Sequence, residues 1–582
     1  MVRIPAQLRS NTVTAAAMIV LFGVVIAVLG REWSEELLRE SGIKSTLAAL
    51  PGYAAQSLLR MLAAYVLCVG IALTVGGLMA RDERAARIIL PLLDIGQSVP
   101  VLGFFPIVVL LLLDFFHGSR LGVELSAVFL LVTCQLWNLI FGVYEALATI
   151  PRDLEQAARS IGLSGGLLFR RLHLPVTMPR LIYNSILSWA NGWYFLIAVE
   201  IITLGPRNYR LPGLGSYLMT TAAEGKPVQL AIGLAVLVGI VVALDFFVWR
   251  PLTLWAERFK YDVGGGQLLP TEARFRFAFS DWLDPARLGR LQKPVQFVWA
   301  PADWAVRGIL FVLSGLLALV ARPVHSPVVR RVWRLLAYLL PTLLLGFVGY
   351  AGFRGLLWIS ANPLPGEATS IPKALLFSAL RVFLALAIAL AWAVPMAVYL
   401  FHHPKRARFW VPAFQIMASI PVTAVFPVLT ALLLRFSWGM EVTSILLLLT
   451  GMQWYLLFNV LAGVSQIPEE LEQSLRSMGA DEKLYWRKLL LPAMLPSLVT
   501  GCLAAWGGGW NAIILSEYMV YGEKRYYVDG LGSMLKRATL TQGDMGLLVV
   551  TLAVMVGFIL LVNRVLWRPA YEYATRRFRM EF

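Results

Sequence analysis

The chain is built from long apolar runs separated by short polar joints. Apolar segments fall at about 13–29, 58–80, 88–113, 123–147, 176–204 and 228–249. A second set lies at about 335–352, 371–400, 409–434, 442–464, 493–521 and 546–567. Most of them reach the roughly 18–20 residues that a helix needs to cross the hydrocarbon core of a bilayer. The pattern predicts an all-α polytopic membrane protein of about 12 transmembrane helices, six in each half. An even count returns each half to its starting side, so the halves form parallel repeats about a pseudo-two-fold axis along the membrane normal.

The polar joints repeat as well. "EQAARSIGLSGGLLFRRLHLP", Glu155 to Pro175, has a counterpart in "EQSLRSMGADEKLYWRKLLLP", Glu472 to Pro492. A constant offset of 317 aligns Pro151 with Pro468, Gly162 with Gly479, Pro175 with Pro492, Trp189 with Trp506, Trp193 with Trp510 and Glu200 with Glu517. Upstream, an offset of 321 aligns Arg60 with Arg381 and Pro100 with Pro421. The expected units are a first half over 1–260, a linker over 261–330 and a second half over 331–582. Within the linker, Gly308 to Ala321 is apolar but short, and is expected to be interfacial or packed on the bundle.

Composition agrees with the pattern. Hydrophobic residues make up 58% of the 582 positions and charged residues 15%, with a mean hydropathy of +0.71. A soluble chain of this length would carry far more charge on the surfaces of several domains. The net charge of +17 is read as Lys and Arg retained in cytoplasmic loops, not as a footprint for nucleic acid. Arg81, Arg84 and Arg87 follow the second segment, with Lys405, Arg406 and Arg408 at the matching place later. Arg250, Arg258 and Lys260 follow the sixth, and Arg568, Arg576, Arg577 and Arg579 the twelfth. Both termini, the linker and both repeated joints are therefore expected in the cytoplasm.

Candidate chemistry is sparse. Cys68, Cys134 and Cys502 lie in apolar runs without metal-ligand spacing, and no metal site is expected. No phosphate-binding loop occurs, so ATP hydrolysis is not expected on this chain, and no paired acids or nucleophile constellation suggests an enzyme.

The joints themselves read as helix–turn–helix knobs. Pro151 suits a helix start, and Asp153 and Glu155 complement the positive end of that helix. Gly162 stops it, and Pro175 is expected to open the next spanning helix. Two such knobs on a two-fold-symmetric body suit a partner with the same symmetry.

The spacing of the knobs resembles the EAA loop of ATP-binding-cassette (ABC) importer permeases. That loop has Glu-Ala-Ala, three residues, Gly, nine residues, an aliphatic residue, one more residue and then Leu-Pro. Here it reads Gln156-Ala157-Ala158, Gly162, Leu172, Leu174-Pro175, and again Gln473-Ser474-Leu475, Gly479, Leu489, Leu491-Pro492. Gln replaces the usual Glu in both, with Glu155 or Glu472 just before it, and the second copy lacks both alanines. "SLLR" and "SALR" opening the second helices, and "GLG" after a Glu in the fifth, narrow the likeness to the nitrate/sulfonate/taurine group.

The resemblance implies a type I importer permease with both halves fused in one chain, in a bacterial inner membrane. It implies two ABC ATPase subunits that bind ATP and Mg, and a periplasmic or lipid-anchored solute-binding protein. The solute would be a small anion or its like: nitrate, a sulfonate, taurine or bicarbonate. The residues expected to couple to the ATPase are Glu155, Gln156, Ala157, Ala158, Gly162, Leu174, Pro175, Glu472, Gln473, Ser474, Gly479, Leu491 and Pro492. Trp189, Trp193, Trp506 and Trp510 sit beside small residues, where helices approach closely. The family places the fifth helices face to face, which would put these indoles along the path.

Glu200 and Glu517 lie near the outer ends of those helices, where a carboxylate needs a partner. Arg60 and Arg381 are the expected ion-pair partners. Arg207, Arg210, Lys524 and Arg525 in the following loops are candidates for the periplasmic mouth. An ion-gradient-driven transporter is the rival reading, and it predicts inverted repeats and midplane acids.

Overall fold

The computed structural model describes residues 43–256, 259 and 366–578, apart from 99, 164, 205–206, 421–425, 427–431, 466, 468, 522–523 and 540–543. The apolar segments at 13–29 and 335–352, the linker at 261–330 and its segment at 308–321 lie outside these residues.

Each half is organised around a long second helix. In the first half it is Leu50–Arg81 and in the second Ile371–His402, both of 32 residues and both with a proline in their first turn. Proline there gives up no hydrogen bond, because the first N–H groups of a helix have no intrahelical acceptor. Glu83–Ser98 and Pro404–Ser419 follow at matching positions. In the first half, Pro100 then ends the run that hydropathy left continuous, and the chain restarts as the helix Val101–Phe115. The fourth helices are Arg120–Ala148 and Gly439–Val464. The fifth are Leu174–Tyr194 and Leu491–Ser516, and the sixth Pro227–Leu244 and Met545–Val562. Seven helices among the described residues are long and apolar enough to cross a membrane.

The π-turns Phe169–His173, Asp245–Trp249, Trp486–Leu490 and Asn563–Trp567 each end two residues before a proline. A proline inside a helix removes one N–H donor and pushes against the carbonyl four residues back. Widening the preceding turn absorbs both effects without breaking the helix. As a result the second part of each knob runs on into the fifth helix, instead of ending where Pro175 or Pro492 begins a new one.

The all-α class holds, with one addition. The apolar segments ending at 204 and 521 close as two short antiparallel hairpins. Strands β1 (Ile201–Leu204) and β2 (Arg207–Arg210) pair Ile201 with Arg210, and strands β3 (Tyr518–Tyr521) and β4 (Lys524–Tyr527) pair Tyr518 with Tyr527. Apolar runs of this length do not distinguish strand from helix by periodicity, and "IITL" is rich in β-branched residues.

The halves share one apolar core. The first-half helix Val101–Phe115 crosses to the second half, so that a Cβ on Gly103 would strike Leu552 and stand 3.6 Å from Ile514 and Met555. Its first amide, Val101 N–H, donates to Asn511 Oδ1 at 3.0 Å. In the other direction Tyr455 donates to Asn191 Oδ1 at 3.1 Å.

The crossing of the fourth and fifth helices displays how the repeats diverged while packing was kept. In the first half Gly142 on the fourth helix makes room for Asn184 on the fifth. In the second half Asn459 on the fourth helix sits over Gly501 on the fifth, at the aligned positions. Each asparagine donates its amide to the carbonyl four residues back, Asn184 to Arg180 and Asn459 to Tyr455. Bump and hole have changed places.

The swap predicts a compensated pair. Gly142→Asn alone should cost roughly 1–3 kcal/mol by overpacking. Adding Asn184→Gly, which recreates the second-half arrangement, should restore most of the loss. Thermal unfolding of the detergent-solubilised protein measures both; a double variant no better than the single one rules out the exchange.

Candidate functional site

Two regions stand at opposite ends of the second helices: the knobs at one end, and a pair of buried charge clusters at the other.

The first knob begins with Arg152–Ser160, capped by Pro151, with Asp153 and Glu155 in its first turn and Arg159 in its last. Glu155 accepts from Arg159 at 2.7 Å, one turn away. Gly162 follows at φ 85°, a left-handed conformation that disfavours any Cβ. The second knob repeats this with Glu469–Ser477 and Gly479 at φ 73°. Pro468 lies outside the described residues. After the glycine, Asp481 caps Glu482–Tyr485 by accepting from Leu484 N–H, and Gly165–Leu168 occupies the matching place in the first knob.

Burial sorts the knob residues into two faces. Ala158 turns inward among Leu168 and Leu172, and its counterpart Leu475 packs against the bundle. Leu154, Ala157 and Ile161 face outward along one side of the helix, and so do Leu471, Ser474 and Met478 at aligned positions. Ile161 and Met478 are the most open, at 77% and 75% exposed. Leu167 and Leu484 are also exposed and extend each stripe. Gln156 and Gln473 are exposed beside it; Leu174, Pro175 and Pro492 are half-buried and Leu491 exposed where each knob joins its fifth helix. An exposed apolar stripe of this kind, rimmed by polar residues and present twice, has the character of a docking surface.

At the other end, Arg60 is almost wholly buried. It donates to both oxygens of Glu124 at 2.6 and 2.9 Å, to Glu200 Oε1 at 3.2 Å and to the Pro212 carbonyl at 2.9 Å. Ser57 donates to Glu200 Oε1 at 2.5 Å and accepts from Leu214 N–H. The second oxygen of Glu200 accepts from Gly215 and Ser216 N–H, at 2.7 and 3.2 Å, and so caps the helix Leu214–Ala223. A carboxylate is the natural partner for those unpaired amides at a helix N-terminus. Gly213 has to be glycine for the same reason, since a Cβ there would overlap the Glu200 carboxylate. The hairpin β1–β2 brings this glycine back over Glu200, locked by Leu211 N–H donating to the Glu200 carbonyl.

The second half builds the same knot. Arg381 donates to Glu441 at 2.7 and 2.8 Å, to Glu517 at 2.8 Å and to the Asp529 carbonyl at 2.8 Å. Ser378 donates to Glu517, whose other oxygen accepts from Gly532 and Ser533 N–H, with Gly530 pressed against it.

The knots differ at the rim. Arg120 lies 3.8 Å from Glu124, and both side chains are below 10% exposed. The aligned position in the second half is Ser437, and Glu441 there is 49% exposed. Sequence reading named Arg60, Arg381, Glu200 and Glu517 but missed Glu124 and Glu441. Their signal was present: the two acids align at the offset of 317.

The ring contacts of Trp189, Trp506 and Trp510 lie within their own halves. Trp189 packs edge-on against Tyr65 and Trp249 of its own half, at centroid distances of 5.6 and 5.9 Å. Trp506 packs against Phe383, Trp510 and Trp567, again within its half. Trp193 and Trp510 are fully buried. Polar residues that bridge the halves among the described residues include Asn191, Tyr455 and Asn511, and their asymmetry hid them: Asn191 aligns with Gly508, and Asn511 with Tyr194. Arg207, Arg210, Lys524 and Arg525 lie in the hairpin strands β2 and β4, with Arg210 and Arg525 exposed.

The family described as binding-protein-dependent transport system inner membrane component matches twice, at residues 69–249 and 385–568. The glycine betaine/proline betaine transport system permease protein of Escherichia coli is 31% identical over 211 residues, 36% of this chain and 56% of that protein. The nitrate import permease protein of Leptolyngbya laminosa is 29% identical over 154 residues, 25% of this chain and 53% of its own length. The bicarbonate transport system permease protein of Synechococcus elongatus is 32% identical over 111 residues, 19% of this chain and 38% of its own. The chain spans about half the length of the curated relatives it matches first.

The unequal rims make the two knots separable by experiment. Glu124→Gln leaves a buried arginine short of a charge and should cost on the order of 3 kcal/mol. Glu441→Gln removes a half-hydrated partner and should cost under about 1 kcal/mol. Thermal unfolding of the two variants side by side checks this, and equal losses would show that exposure does not govern the pairs.

Proposed function

The chain belongs to the family of binding-protein-dependent transport system inner membrane components, and from that membership we propose that it is the complete permease of an ABC importer. One chain supplies both halves of the membrane pathway. Two separate ABC ATPase subunits bind and hydrolyse ATP with Mg, one under each knob. A periplasmic or lipid-anchored binding protein delivers the solute. Both termini and both knobs face the cytoplasm, in keeping with the arginines after the second and sixth helices of each half.

The observation that carries this reading is the pair of outward apolar stripes, Leu154–Ala157–Ile161 and Leu471–Ser474–Met478. They sit on aligned knobs that glycines at left-handed φ bend into the same shape. Apolar side chains held open to water on a rigid, twice-repeated element call for a partner that covers both. A dimer of ATPases has the matching two-fold symmetry. Closure and opening of that dimer would move the knobs together and apart, switching the passage between outward and inward access.

The solute is proposed to be a small anion or zwitterion. The likeness to permeases named for nitrate, bicarbonate and betaines supports that range. Among the bridging residues, Asn191, Tyr455 and Asn511 offer hydrogen bonds without a full charge. Such groups can hold a polar solute briefly and release it, which a pathway requires.

Charging either stripe tests the docking. Ala157→Asp and Ser474→Asp place a carboxylate at the middle of each stripe, in a contact that should be dry. Burial of an unpaired charge is worth several kcal/mol, enough to reduce ATPase retention at least roughly tenfold. The alanine knob should suffer more, since Ser474 already presents a polar group there. Co-purification with the ATPase subunits and ATP-dependent uptake into vesicles are the readouts. Full retention by both variants, or uptake that follows an ion gradient and ignores ATP, contradicts the reading.

A further inference from the structure

In each half, one helix reaches both the outer knot and the knob. Leu50–Arg81 carries Ser57 and Arg60 near one end and Arg81 at the other; Ile371–His402 carries Ser378, Arg381 and His402 at matching places. At 1.5 Å per residue, the knot and the inner end are about 32 Å apart, roughly the thickness of a bilayer core.

The outer end cannot slide. Arg60 and Arg381 are each held by two carboxylates and a backbone carbonyl, and the neighbouring serines bind the next helix as well.

At the inner end the two halves use different chemistry at the same place. His402 Nδ1 lies 2.9 Å from the Val398 carbonyl, which can only accept, so this nitrogen carries the proton. In the neutral ring Nε2 then accepts from the hydroxyl of Tyr485, at 3.2 Å. Tyr485 is buried and is the last residue of the knob helix Glu482–Tyr485, just before the π-turn. In the first half the Arg81 guanidinium stands 5.9 Å from the centroid of Phe169, the first residue of that knob's π-turn. Phe169 is itself packed in one apolar cluster with Met79, Met178 and Leu181.

Apolar packing alone is non-directional and lets neighbours slip. A hydrogen bond or a cation over a ring fixes which residue meets which. We propose that His402 and Arg81 are latches that fasten each knob to its second helix, making that helix a rod which carries knob displacement to the outer Arg–Glu knot. The inference rests on the reading of the knobs as ATPase-docking elements. His402 and Arg81 are positioning residues: they transmit motion through Tyr485 and Phe169 and touch no solute. The second latch is the stronger, since its hydrogen bond is shielded whereas Arg81 is exposed. Pro395 lies inside the second rod and allows it to bend, but leaves its length unchanged.

The test follows the outer ends while the ATPase cycles. Lys226→Cys and Lys373→Cys put spin labels on exposed sites at the outer ends of the two halves, and the three native cysteines are buried, away from the reagent. The full chain is assembled with its ATPase subunits in lipid nanodiscs, and the label distance is measured before and after trapping with MgATP and vanadate. The parent should show a shift of several ångströms. His402→Leu and Tyr485→Phe should each reduce that shift about twofold or more, with ATPase subunits still bound, because Leu471, Ser474 and Met478 are untouched. The double variant should do no further harm, as both changes remove one contact. Arg81→Met should have a smaller effect, and Arg81→Lys, which keeps a cation over the ring, should behave as the parent. A parental shift that persists undiminished in His402→Leu and Tyr485→Phe overturns the latch and leaves the docking reading standing. A parent that binds no ATPase overturns both.

Discussion

An arginine buried among apolar helices must be neutralised where it stands, or it costs several kcal/mol. Arg60 and Arg381 meet that requirement with two carboxylates each, and the rest of each half is arranged to bring those carboxylates in. The fourth helix supplies Glu124 or Glu441. Beyond the fifth helix, the short helix Leu196–Glu200 ends on Glu200, and in the second half Glu517 directly follows Ser516. The hairpin then turns the chain back so that a helix N-terminus can share the second carboxylate, and a glycine is needed where that carboxylate passes. Three separate stretches of sequence thus converge on each guanidinium: the fourth helix, the acid after the fifth, and the backbone carbonyl that precedes the next helix. Removing any of them leaves a charge or an amide without its partner, which is why the same knot occurs in both halves.

Fusion of the halves freed them to differ wherever the knot did not forbid it. The exchange of Gly142 and Asn184 for Asn459 and Gly501 keeps the volume of the crossing while inverting its parts. Gln135, buried beside Gly192, aligns with Met452 beside Gly509. Along the seam, Asn191 and Asn511 come from different turns of their two helices and make different bonds. A dimer of identical subunits has two copies of every seam residue; here the positions aligned with Asn191 and Asn511 hold Gly508 and Tyr194.

Much of this could be read from the chain before its structure was described. The knobs were legible because a left-handed turn demands glycine, and Gly162 and Gly479 stand in register between prolines. The link between Arg60 and Glu200 followed from depth alone, since both lie where water is scarce. The hairpins were not legible: "IITL" and "YMVY" end long apolar runs, and hydropathy does not say where a helix yields to a strand. Glu124 and Glu441 escaped because they sit at the edge of apolar segments, where an acid usually reads as loop. Small neighbours marked close packing around the tryptophans without showing which rings they meet, and Trp189 and Trp506 pack on aromatic side chains of their own halves. Position along a helix was predictable; the direction a side chain takes around it was not.

The account stands or falls on one chain serving as both halves of a two-fold transporter. Native mass measurement of the assembly released from its membrane, with the ATPase subunits co-expressed, tests this directly. The account predicts a particle with one copy of this chain and two ATPase subunits. A particle with two copies of the chain per pair of ATPases, or a chain that leaves the membrane with no ATPase attached, would contradict it.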